Sequence, residues 1–190
     1  MLACRQHGRA ECWIVFGAAL AGYVAVAVYL TLALDKVDWS SVATTSRSFD
    51  VVFGGAQPSL SRIGFAEAPL PALLQIPLVA AAPGLGTSAV AGPLTSAALA
   101  ALACVVLCRL MTETGAARWL RWPLVLGFGL NPTWLYAAAT GSAAPLVCFL
   151  VVSCGLYLAR WAREGILRDL VMCGLIAGAA LMSQLESASL

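Results

Sequence analysis

The chain has 190 residues, 61% of them hydrophobic and 11% charged, with a formal net charge of +2. A soluble domain carries roughly 45–50% apolar and about 25% charged residues, so this composition, with a mean hydropathy of +0.89, excludes a globule with an ordinary water-facing surface. The charge is also too small and too scattered for the basic stripe that nucleic acid needs. An integral membrane protein of the all-α class is expected, a polytopic transmembrane helix bundle with no nucleic-acid partner.

A bilayer core of about 30 Å takes about 20 apolar residues as a helix. Residues 13–34 meet that length without a charge. Arg5, His7 and Arg9 before them resemble the start of a signal peptide. The apolar run is longer than the usual h-region of about 7–15 residues and ends in Leu-Asp-Lys, so it reads as a retained anchor. A long external loop, 35–88, follows. Its first part, 38–53, is polar with apolar residues at Trp39, Val42, Phe49, Val52 and Phe53, the pattern of an interfacial helix. Gly54-Gly55 breaks it. Pro69, Pro71, Pro77 and Pro83 leave 70–82 too short and too interrupted to span alone, so it packs at the interface or re-enters.

Further spans are read at 89–110, 122–140, 144–161 and 170–185, giving about five in one membrane domain. Asn131-Pro132 falls inside the third, where a kink or a helix end is expected. The short uncharged turn Thr140-Gly141-Ser142 makes the third and fourth spans a tight hairpin. With these spans drawn, Arg5, Arg9, Arg109, Arg118, Arg121, Arg160, Arg163 and Arg168 lie on one side and Lys36, Arg47 and Arg62 on the other. The positive-inside rule then places the amino terminus in the cytoplasm and residues 35–88 outside.

Cysteine and histidine narrow the chemistry. The seven cysteines form no Cys-x-x-Cys pair, and the one histidine, His7, is far from the closest-spaced pair, Cys104 and Cys108. No metal site is expected. A serine or cysteine triad has little room either. The polar chemistry is left to the outer side, where Asp35, Asp38, Asp50, Glu67 and Glu186 outnumber the basic residues. Asp35 and Asp38 follow directly on an apolar helix, three residues apart. A carboxylate there can act as a general base, or hold a divalent cation on a lipid-linked phosphate, a cation that the sequence permits and does not require. The alternative is a solvated loop carboxylate. Arg47 and Arg62 suit phosphate oxygens or, equally, snorkelling to headgroups. Glu186 lies at the outer end of the last span.

Ile63-Gly64-Phe65, followed by Pro69-Leu70-Pro71-Ala72-Leu73-Leu74-Gln75-Ile76-Pro77-Leu78, resembles the outer-loop motif of bacterial polytopic GT-C glycosyltransferases and the protein mannosyltransferase-like group. Asn131-Pro132, Tyr136-Ala137-Ala138, Gly141, Leu158-Ala159-Arg160-Trp161 and Gly174-Leu175 follow the order those proteins show across their third to fifth spans. The resemblance implies a bacterial plasma-membrane enzyme that moves a sugar from a polyprenyl-phosphate donor to an acceptor on the outer face. It assigns the base to Asp38 with Asp35 in reserve, donor-phosphate contacts to Arg47 and Arg62, and an acidic position near the end of the fifth span to Glu186. The chain departs from the pattern at Ala143-Ala144-Pro145, Gln184-Leu185 and Glu67. Family members are longer, so the resemblance is to an amino-terminal portion and implies a truncated relative. The alternative is a non-catalytic membrane subunit, or a degenerate fragment, in which small residues such as Gly17, Gly22, Gly174 and Gly178 pack against a partner membrane chain.

Overall fold

The computed structural model describes residues 2–34, 36, 38–55, 69–84 and 90–184. Among these residues the chain is all-helical, with eight helices of nine residues or more and no strand. Three contain stretches long and apolar enough to cross a membrane: Glu11–Thr31 within α1 (Leu2–Leu34), α4 (Ala91–Glu113) and α7 (Ala144–Glu164). The others are α2 (Trp39–Phe53), α3 (Pro69–Ala81), α5 (Arg118–Gly129), α6 (Pro132–Thr140) and α8 (Leu167–Gln184).

The helix ends follow from local chemistry. Asp38 caps α2, its Oδ1 accepting from the Ser40 N–H at 3.2 Å. α4 stops at Gly115, whose φ of +77° is open only to a residue without Cβ strain. There Ala116 N–H reaches the Met111 carbonyl and Gly115 N–H that of Thr112, the paired bonds of a Schellman motif.

Residues 122–140 are not one rod. Pro132 has no N–H to give and disfavours helical backbone at Asn131, whose ψ is 126°. α5 therefore ends at Gly129, and α6 begins with Pro132 in its first turn and Asn131 as its cap. The Asn131 Oδ1 accepts from the Thr133 and Trp134 N–H groups at 3.0 and 3.4 Å. The break expected from the Asn-Pro pair is thus a full helix end.

α4 is the hub, packed against α1, α2, α3, α5, α6 and α7. Its buried face is built of small residues, among them Gly92, Ser96, Ala97, Ala100, Ala101 and Cys104. Each buries little area itself, but together they let neighbouring backbones come close. The larger side chains of this core come from other helices: Val15 and Tyr23 of α1 and Val125 of α5.

Polar contacts define two ends. At one, Glu11 of α1 pairs with Arg118 and Arg121 of α5, and Glu113 of α4 pairs with Arg160 and Arg163 of α7. At the other, the Asp38 N–H donates to the Thr140 carbonyl at 3.2 Å, and Ser41 lies between Gly92 and Gly141. α1, α4, the α5–α6 pair and α7 therefore run alternately between the two ends. α8 returns antiparallel to α7, with Cys173 Sγ 3.0 Å from Cys154 Sγ.

Candidate functional site

Asp38 is the one expected site carboxylate within the described residues. It is half-buried, and it is fixed twice: its backbone N–H is tied to the end of α6 and its carboxylate to the start of α2. Asp35, Arg62 and Glu186 lie outside the described residues. Arg47 is on α2, half-buried, nine residues after Asp38. At 1.5 Å and 100° per residue that is about 13 Å along the axis and about half a revolution round it, so the helix does not bring the two to one point.

Beyond Asp38, along α2, lies a junction of uncharged polar groups. α2 buries Ser41, Thr45 and Ser48, spaced four and three residues apart, together with Val51. Thr45 Oγ1 donates to Gln75 Oε1 of α3 at 2.9 Å, both groups buried. Ser48 Oγ donates to the Ala72 carbonyl at 3.0 Å and to the Thr44 carbonyl at 2.9 Å. From α4, Ser96 Oγ donates to the Ala138 carbonyl at 2.6 Å. That carbonyl belongs to the last turn of α6, where no intrahelical N–H remains for it.

Two glycines allow this approach. A Cβ on Gly92 would stand 1.9 Å from Ser41 Oγ, and one on Gly141 would stand 2.2 Å from the same atom and 2.9 Å from the Pro93 nitrogen. Gly141 also has φ of +86°. Ser41 Oγ is buried here with no hydrogen-bond partner among the described residues. A small cavity of about 30 Å³ adjoins the junction, lined by Ser40, Thr44, Gln75, Ser96, Gly141 and Ser142 among others. It has room for about two waters and the polar partners to hold them. Asp38 does not line this space; it reaches its edge through Ser40, which lines it and from whose N–H the Asp38 carboxylate accepts.

A second polar cluster sits in the bundle interior. Where α5 ends, the Gly129 carbonyl loses its helical partner, because the Thr133 N–H is taken by Asn131. The Tyr23 hydroxyl of α1 donates to it at 3.0 Å. With its single proton used, that hydroxyl accepts from Trp134 Nε1 at 3.1 Å and from the Cys104 thiol at 3.3 Å. This cluster repairs the helix break.

Counting apolar residues misses both clusters. The spacing of Ser41, Thr45 and Ser48 on one helical face is the available signal for the first. Nothing in the sequence links Tyr23 to Gly129. Nor does any sequence pattern mark Asp169, which is buried in the first turn of α8, 3.7 Å from Arg168, its Oδ1 without a hydrogen-bond partner among the described residues. Compared with family models, curated proteins and solved structures, the chain matches none.

Proposed function

We propose that the chain is a GT-C-like membrane glycosyltransferase relative, in which Asp38 is the base that deprotonates the acceptor while a sugar leaves a polyprenyl-phosphate donor. In this reading α5–α6 and α8 cross the membrane beside α1, α4 and α7, giving five spans. α2 lies along the interface with Trp39 and Phe53 turned outward, and the amino terminus is cytoplasmic. The observation that carries the reading is the position of Asp38. It is the carboxylate held by backbone at the end of the bundle opposite the guanidinium-rich end, bonded to the N–H of Ser40, which lines a hydroxyl-bearing space. The exposed side chains of α2 are mixed, as an interfacial helix requires: Trp39 at 81% and Phe53 at 43% suit an apolar surround, and Ser40, Ser46 and Asp50 a polar one.

The test is Asp38→Asn in membranes supplied with a radiolabelled sugar on polyprenyl phosphate. Asparagine caps a helix as well as aspartate does, so α2 and the amount of protein are retained while the proton acceptor is lost. Transfer is expected to fall to background. Unchanged transfer at equal protein level removes Asp38 from the mechanism.

A second reading, a non-catalytic subunit, is favoured by α8. Gly174 and Gly178 form a G-x-x-x-G pair on its exposed side, and a Cβ at either meets nothing within 4 Å. Stoichiometric recovery with another polytopic chain in mild detergent, together with no Asp38-dependent transfer, selects this reading over the first.

A further inference from the structure

α1 and α5 are joined at the Glu11 ion pairs and again where the Tyr23 hydroxyl meets the Gly129 carbonyl, and pack little otherwise. Between them a groove of about 410 Å³ is left open to the side. Its walls are apolar, with Ile14, Ala18 and Gly22 on α1, Trp122 and Leu126 on α5 and Leu130 just after it, and Tyr23 and Cys104 also line it. From Ile14 to Val26 the α1 wall is about 18 Å long at 1.5 Å per residue. One leaflet of hydrocarbon is about 15 Å deep, half of the roughly 30 Å core.

The groove is charged at one end only. Arg118 stands one turn before Trp122 and Arg121 immediately before it, both against the single carboxylate of Glu11; the Arg118 side chain is 66% exposed and that of Arg121 15%. Trp13 and Trp119, both more than two-thirds exposed, flank the same end. Exposed tryptophans beside guanidiniums mark the level of headgroups. A slot of leaflet depth with apolar walls and an excess of guanidinium at the headgroup level has the chemistry of one ligand class.

We propose that the groove between α1 and α5 is a site for an anionic phospholipid, one acyl chain lying along Ala18 and Gly22 and the phosphate paired with Arg118 and Arg121. The site is separate from Asp38, which lies at the other end of the bundle, and it holds whether or not the chain transfers sugar. Gly22 is the residue to test, because a Cβ there meets nothing within 4 Å and a larger side chain grows into the groove instead of into the fold.

The experiment uses the full chain in vesicles of phosphatidylcholine containing phosphatidylglycerol with a photoactivatable acyl chain, followed by peptide mapping of the crosslinks. Crosslinks are expected to concentrate on 14–26 and 122–130, and native mass spectra are expected to retain phosphatidylglycerol over phosphatidylcholine. Gly22→Leu should lower retention about tenfold with helical content unchanged. Arg118→Gln with Arg121→Gln should leave crosslinking in place and abolish the preference for phosphatidylglycerol. Crosslinks spread evenly over every lipid-facing helix, or equal retention of the two lipids by the unaltered chain, would overturn the proposal. Both readings use the unaltered chain, so a variant that fails to fold does not shield it.

Discussion

The two ends of the bundle are held by different kinds of bond. At the Asp38 end the contacts are neutral, buried and short: Thr45 to Gln75, Ser48 to the Ala72 carbonyl, Ser96 to the Ala138 carbonyl, and two glycines pressed against Ser41. At the opposite end Glu11 and Arg121 are each 15% exposed, whereas Glu113 holds ion pairs between partly exposed side chains, Arg160 at 32% and Arg163 at 57% around a carboxylate at 28%. A buried neutral hydrogen bond is modest in net worth but costly to break on one side only. An exposed ion pair is screened and adds little. The Asp38 end is therefore the one that fixes geometry, and the Glu113 pairs are the ones that tolerate change.

Gly141→Ala is the most severe way to break that contrast. The added carbon meets the Ser41 side chain and the Pro93 backbone, and it must also adopt a left-handed φ. A loss of about 2–5 kcal/mol is expected, from overpacking and backbone strain together, read as a fall in the unfolding midpoint in detergent. Thr45→Val comes next. It strands the Gln75 carbonyl in a buried site and should cost about 1–3 kcal/mol, whereas adding Gln75→Leu to it should recover most of that loss, because both partners are then apolar. A double mutant no better than the single would mean that Gln75 is satisfied elsewhere. Glu113→Gln is the mildest, below about 1 kcal/mol, and the difference should vanish in about 1 M salt. An effect as large as that of Gly141→Ala would show that the contrast between the ends is false.

Sequence patterns reach the long helices easily, because α1, α4 and α7 each hold an apolar run of membrane-crossing length with charge at one end, at Glu11, Arg109 and Arg160. The end of α5 is legible in Asn131-Pro132, since proline cannot donate and asparagine can cap. The extent of α2 is legible too, Asp38 and Gly54-Gly55 bounding it. Which side α2 buries is not. Trp39, Val42 and Phe49 draw attention as the hydrophobic stripe, yet the inward stripe is Ser41, Thr45 and Ser48. In water a buried hydroxyl row is a penalty. Against an apolar surround the preference inverts, and small polar groups turn inward to find partners. Asp38 is legible as a candidate because it follows an uncharged helix. Its tie to Thr140 spans a hundred residues of chain and depends on the α6 end lying beside it, which no local pattern encodes.

The Tyr23 hydroxyl, donated to the Gly129 carbonyl across from α1, sets an order of assembly. In an apolar surround an unpaired carbonyl at the α5 end has no water to turn to, so the break between α5 and α6 is stable only beside α1. Synthesis proceeds from the amino terminus, so α1 is in place, with its hydroxyl available, before residue 129 is made. The break in the later helices is thus met by a partner already made, and α1 serves them as a template for folding.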